Sequence, residues 1–263
     1  VFSLNATNSR KLSEMAGRNL AKPFPDNAYV SRTEISLQDE HDEATSAIKN
    51  AREAIMSLHK KILRDKYSKK LPGWRDTVPK LFAVSTWVGY DLDGRSDISW
   101  LDSFRLRLSE KKTSLDLYVE KLAPFLGSHS GVGQIIDELS AERRATEADL
   151  MRFSKIEDNG FADAANLLSE RQDKLTASKV FAERLRRVAA DTQNPEEAIE
   201  LLAIAGDIAS NGFGLGELHL RINAVQLTNA MGVVDGKGNF VRLTDGRSRI
   251  LVERLAERIC VET

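Results

Sequence analysis

The stretch Lys80-Leu81-Phe82-Ala83-Val84-Ser85-Thr86-Trp87-Val88-Gly89-Tyr90-Asp91-Leu92-Asp93-Gly94-Arg95 decides how the chain is read. Leu81 to Val88 is a short β-branched and aromatic run, with the length and composition of a buried strand. It ends in two aspartates bounded by Gly89 and Gly94, and glycine lets a backbone turn sharply where a strand stops. α/β folds build their sites in this way, at the carboxyl ends of strands. Nearly everything else reads as amphipathic helix, so this stretch is the exception to be explained.

Upstream, residues 23–35 hold Pro23, Pro25, Asp26 and Asn27, a connector into a long helix. Ser36 with Asp39 forms a capping pair, and acidic Asp39, Glu40, Asp42 and Glu43 suit the positive end of a helix dipole. Apolar Ala44, Ile48, Ala51, Ile55, Leu58 and Ile62 recur at spacings of three and four, which predicts a helix to about Tyr67. Leu71-Pro72-Gly73 stops it. Downstream, Asp97-Ile98-Ser99-Trp100 opens a helix towards Pro124, and Ser128 to Gly133 reads as a flexible loop. Further helices are expected over about 134–156, 161–191 and 195–211, the last started by Asn194-Pro195-Glu196-Glu197. Asn211 to Gly216 then breaks the pattern. Leu218, Leu220 and Ile222 alternate with His219, Arg221 and Asn223 as a second strand. Asp235-Gly236 marks a turn, and 250–261 a closing helix.

Bulk composition excludes several functions. With 38 basic and 39 acidic side chains there is no net positive field to recruit nucleic acid or anionic lipid. The single cysteine, Cys260, excludes an intrachain disulfide framework and fits a reducing, cytoplasmic compartment. No apolar run approaches the roughly 18 residues of a membrane span. Val1 to Ala6 lacks the cationic start of a signal peptide. Because the sequence starts at Val1 without a Met, a fragment or a processed chain is expected.

Asp91-x-Asp93-Gly94 admits several chemistries. A calcium loop needs its glycine at the sixth position, and here it is fourth. An aspartate-nucleophile phosphatase also ends a strand in Asp-x-Asp-Gly, one carboxylate attacking phosphorus and the next protonating the leaving group. That fold needs later strands with a hydroxyl residue and a Lys, where 97–211 offers helices. An Asp-Gly turn whose carboxylates bond backbone amides is the plain structural alternative. His41, His59, His129 and His219 never pair at metal-ligand spacing, which argues against zinc or iron. His59 reads as a surface or partly packed helix residue. Gly212 to Gly216 precedes a strand, so it is no dinucleotide fingerprint. Arg221, on the face opposite Leu220 and Ile222, suits either a bidentate clamp on phosphate or carboxylate or an ion pair with a helix carboxylate.

Together and in this order, the two unusual segments resemble phosphoenolpyruvate carboxylase. That family carries Phe-Gly-Ser-Trp-Met-Gly-Gly-Asp-Arg-Asp-Gly-Asn, against Ala83-Val84-Ser85-Thr86-Trp87-Val88-Gly89-Tyr90-Asp91-Leu92-Asp93-Gly94-Arg95 here. Its later Phe-Gly and Leu-Asp-Ile-Arg-Gln correspond to Phe213-Gly214 and Leu218-His219-Leu220-Arg221-Ile222. The resemblance spans about residues 30–230. The family's second glycine is Tyr90 and its inter-aspartate Arg is Leu92, while its Asp and Gln of the second motif are His219 and Ile222. These departures mark a divergent branch, without the Arg that some members use for an allosteric sugar phosphate. The family's catalytic Thr-Ala-His-Pro-Thr segment, its glycine-rich mobile loop and its magnesium carboxylates are absent.

The resemblance implies a mainly α chain with a few strands, the helical N-terminal part of a TIM-like β/α barrel. The expected layout is one domain over 1–263. It comprises an N-terminal helix and connector (1–35), helices with a strand near 81–90 (36–212), and a second strand with the closing helix (213–263). It implies part of a cytoplasmic, oligomeric lyase that carboxylates phosphoenolpyruvate with bicarbonate to oxaloacetate and phosphate, replenishing the tricarboxylic acid cycle. Magnesium would serve the full enzyme from ligands outside this chain. No catalytic residue is expected here, and the chain by itself is expected to be inactive. Arg221 would bind substrate; Trp87, Gly89, Asp91, Asp93, Gly94 and Arg95 would shape the site loop. A non-catalytic helical binding or regulatory module, or the Asp91 phosphatase, are the alternatives.

Overall fold

The computed structural model describes residues 35–92, 95, 97–157, 160–171, 174–175 and 177–221. The N-terminal helix, Asp93, Gly94, the Asp235 turn and the closing helix lie outside the described residues. The chain divides after Ser36 into two units, and the elements below belong to residues 37–263. They are mainly helical: α1 (Leu37–Ser68), β1 (Ser85–Thr86), α2 (Trp100–Leu122), α3 (Ser130–Phe153), α4 (Phe161–Glu170), α5 (Ser178–Asp191), α6 (Pro195–Asn211) and β2 (Glu217–Leu218). None of these helices is long and apolar enough to cross a membrane.

Local chemistry sets the boundaries. The α2 start is capped by Ser99, whose Oγ accepts the Asp102 amide while the Asp102 carboxylate accepts the Ser99 amide. α6 starts on Asn194, whose side chain accepts the Glu196 amide, with Pro195 in the first turn and Glu196 and Glu197 at the positive dipole end. Gly212, at φ 67°, ends it.

α6 is the centre of the core. Ala198, Ile199 and Leu201 through Ile208 are all buried, so it has no solvent face from Leu201 to Ile208. Around it pack Leu63 of α1, Leu115, Tyr118 and Leu122 of α2, Ile135 and Leu139 of α3, and Phe181 and Leu185 of α5. A second cluster joins Trp100 and Leu101 to Phe153, Ala164 and Leu167, tying α4 to the α2–α3 pair. Each such fully buried Leu or Ile contributes roughly 1.5–3 kcal/mol.

Two expectations need correction. Ser128 to Gly133 is no loop beyond His129: α3 begins at Ser130 and runs through both glycines. Val132 is wholly buried, and a Cβ on Gly131 would stand 2.9 Å from Val188 Cγ2, so this glycine serves close helix packing. The expected single helix over 161–191 is two, α4 and α5. Arg171 leaves the helix in an extended conformation and delivers its guanidinium to Glu142 and Asp149 on α3.

β1 and β2 are parallel neighbours, Ser85 paired with Glu217 and Thr86 with Leu218. The connection between them carries α2 to α6, as parallel pairing demands a long crossover. Regular strand is shorter than the expected 81–90. Leu81 and Phe82 are about two-fifths exposed rather than buried, because pairing starts only at the Val84 carbonyl. From Leu218 to Arg221 the expected alternation holds, Leu218 and Leu220 half-buried and His219 and Arg221 exposed, while Ile222 and Asn223 lie outside the described residues.

Candidate functional site

Beyond Thr86 the two strands stay in contact although the first one bulges. His219 N–H donates to the Thr86 carbonyl (2.9 Å), Arg221 N–H to that of Tyr90 (3.0 Å), and Leu92 N–H to that of Arg221 (2.9 Å). Thr86 faces Leu218 and Asp91 faces Arg221, so the first strand spends five residues where the second spends three. The surplus is taken up by a turn closed by Tyr90 N–H on the Trp87 carbonyl. Gly89 sits in it at φ 85°, and a Cβ there would collide with Leu106 Cδ1 on α2. Ser103 Oγ of α2 donates to the Gly89 carbonyl at 2.7 Å, pinning the turn to the helix. The positive φ is what calls for glycine at 89, since the end of the Leu106 side chain could move aside.

The bulge aims the side chains. Tyr90 points inward and is 2% exposed, whereas Trp87 on the other side of the turn is 57% exposed. Arg221 Nη1 donates to Asp91 Oδ2 at 3.1 Å; the Asp91 side chain is 20% exposed and that of Arg221 59%. The sequence allowed Arg221 a helix carboxylate as partner, and the partner is the strand-end aspartate.

Arg95 lies on the same loop but serves a different purpose. It chelates Asp97 (2.8 and 2.6 Å) and both oxygens of Glu40 on α1 (3.0 and 2.8 Å). Those hydrogen bonds hold the Asp97 carboxyl down at about 2 and raise the guanidinium further above its ordinary value. Arg95 clasps the loop to the start of α1. Of the expected site residues, Trp87, Gly89, Asp91 and Arg221 gather at the strand ends, and Arg95 is committed to the clasp.

Beneath this surface is a polar network the sequence reading missed. Arg52 of α1 and Asp207 of α6 are both fully buried and form a two-pronged pair. Arg52 Nη1 also donates to Ser114 Oγ on α2 and to the Leu215 carbonyl just before β2, each at 3.1 Å. Its guanidinium lies 5.1 Å from the centroid of the Tyr118 ring. Asp207 Oδ1 accepts Asn211 Nδ2 (2.9 Å), which leaves Asn211 Oδ1 to accept the Val84 amide at the root of β1 (3.1 Å). Alongside, Arg107 donates to the Gly216 carbonyl and to Glu110, whose other oxygen lies 3.3 Å from Nε2 of the buried His41. Gly214 accommodates the Arg107 guanidinium, which would overlap a Cβ at that position. The signal was present in the sequence: Arg52 and His59 interrupt the apolar stripe Ile48, Met56, Leu63 of α1, and Asp207 interrupts the run of small and apolar residues from Leu201 to Ile208 in α6.

His59 is likewise not the surface or partly packed residue expected. It is wholly buried, against Gly206 of α6, and burial lowers its imidazole below the ordinary value despite the nearby Asp207 charge. His129 precedes α3 and pairs with Glu197 at 3.0 Å. Among the described residues no three His, Cys, Asp or Glu side chains are grouped to hold a metal. A shallow pocket of about 380 Å³ between the end of α3 and α4 is lined by cations and anions alike, with Arg152 bonded to Glu170.

Set against family models, curated proteins and solved structures, the chain matches none.

Proposed function

We propose that this chain is part of a phosphoenolpyruvate carboxylase-like lyase, and that the strand-end cation Arg221 binds the phosphate or carboxylate of phosphoenolpyruvate. One observation carries the reading. The two segments that resemble the family's motifs, 130 residues apart at Asp91 and Arg221, are neighbouring parallel strands whose ends face each other. This is the relationship a β/α barrel requires of successive strands, with the site at their carboxyl ends. An exposed guanidinium steered by a neighbouring carboxylate suits an anionic ligand.

Asp91 is unsuited to hold magnesium, because its carboxylate already faces a guanidinium. For the same reason it is a poor phosphorus nucleophile. The described residues from 97 to 211 also supply helices in place of the strands a phosphatase would need. The work of this chain in such an enzyme is to bind and orient an anion, while proton and metal chemistry come from segments it lacks.

Isothermal titration of the 263-residue chain with phosphoenolpyruvate tests the reading. Binding in the millimolar range or tighter is expected, weakened at least tenfold by Arg221→Ala, with no phosphate released when bicarbonate and magnesium are added. Absence of binding, or equal binding by the variant, overturns the assignment in favour of a non-catalytic helical module.

A further inference from the structure

We infer that Arg52 is a positioning residue of the strand-end site, acting through Asp207 and Asn211 on β1 and through the Leu215 carbonyl on β2. A buried ion pair is weak evidence of stability, because well-packed apolar side chains of similar volume often serve as well. What such a pair supplies that apolar groups lack is direction, and here the directions converge on the two strands. Arg52 Nε and Nη2 hold the Asp207 carboxylate, and Asp207 Oδ1 holds the Asn211 amide. That bond fixes Asn211 Oδ1 towards the Val84 N–H. The Val84 carbonyl accepts the Glu217 amide, the first bond of the ladder. On the other strand Arg52 grips the carbonyl of Leu215, two residues before Glu217.

One guanidinium thus anchors both strands immediately before they pair. Register is the property at stake. A slip of one residue turns every following side chain to the opposite face, and only the present register sets Asp91 beside Arg221. Two-residue strands have few hydrogen bonds of their own with which to resist slipping. The anchor lies outside the strands, in the helical core, where α6 is buried from Leu201 to Ile208.

The test replaces direction while keeping volume, in the double variant Arg52→Met/Asp207→Leu of the full chain, with amide hydrogen exchange as the readout. Exchange of the Leu92, Glu217, His219 and Arg221 amides is expected to accelerate at least tenfold, while amides within α5 and α6 keep their protection. Unchanged strand amides, or a loss shared equally by the helices, would overturn the inference. Should the double variant fail to fold, Asn211→Ala removes the side chain that joins Asp207 to the Val84 amide while keeping the Arg52–Asp207 pair, and must give the same selective loss. A second readout rests on the anion-binding reading of Arg221. Phosphoenolpyruvate affinity should fall about tenfold in the double variant although neither position touches the ligand. If the unaltered chain binds no phosphoenolpyruvate, that reading fails, and the exchange data still decide the role of Arg52.

Discussion

Asp91 and Arg221 are partners in a parallel bridge, and their side chains meet across it at 3.1 Å. Directly paired residues lie on one face, so the backbone register itself brings the carboxylate to the guanidinium. The aspartate is the more sheltered of the two and the arginine stays largely in solvent. That asymmetry gives the pair a direction: the carboxylate orients a cation that remains open to an outside anion.

Removing the pair should therefore separate stability from binding. An ion pair this exposed is worth about 0–1 kcal/mol, so Arg221→Ala and Asp91→Ala should each shift the urea midpoint only slightly. Phosphoenolpyruvate affinity should drop at least tenfold in the first. A smaller loss is expected in the second, where the guanidinium is present but no longer held. A loss of several kcal/mol in either variant would mean that the pair is a structural tie.

The buried pair should behave in the opposite way. Arg52→Met alone leaves the Asp207 carboxylate without its partner in the core, and Asp207→Leu strands the guanidinium; each should cost about 3–5 kcal/mol. The double variant should lose less than either single change, because no charge is then left buried alone. Denaturant unfolding of the three variants gives the comparison. A double variant that loses the sum of the two singles would contradict this account.

These contrasts mark where the sequence was legible. Helix α1, the Ser99 and Asn194 starts and the alternation around Arg221 follow from local rules of spacing and capping, and the structure contains them. The break at Arg171 and the close packing at Gly131 involve distant partners, Glu142 and Val188, which no local window contains. The site divides likewise. Gly89 and Asp91 announced themselves as a turn, but the Arg52–Asp207–Asn211 chain joins residues up to 155 positions apart. Its members look individually like ordinary interruptions of an apolar face.

Acid should expose His59. Burial holds its folded-state value below that of the unfolded chain, about 6.5. The unfolded state then binds more protons as pH drops through and below 6.5, so stability rises with pH across that window and declines in acid. The carboxyls of Asp97 and Glu183, both held at about 2 by arginine hydrogen bonds, act in a separate window, below about pH 4. Urea unfolding between pH 7.5 and 5 should show a steady loss in the native chain and a flatter profile in His59→Gln. Equal slopes would remove His59 as the cause.

Gly206 offers a contest between two effects of known size. In the middle of a helix, alanine is favoured over glycine by about 1 kcal/mol. A Cβ at 206 would, however, fall well inside contact distance of the Pro79 carbonyl oxygen and 3.1 Å from His59 Nδ1. The oxygen belongs to backbone leading into β1 and cannot rotate away as a side chain end could. Overpacking of this kind costs about 1–3 kcal/mol and sometimes more, so Gly206→Ala should be net destabilising in denaturant unfolding. Trimming the imidazole in Gly206→Ala/His59→Ala should not restore stability, since it leaves the carbonyl collision untouched. Recovery in the double variant would locate the tight contact at His59 instead of the Pro79 carbonyl.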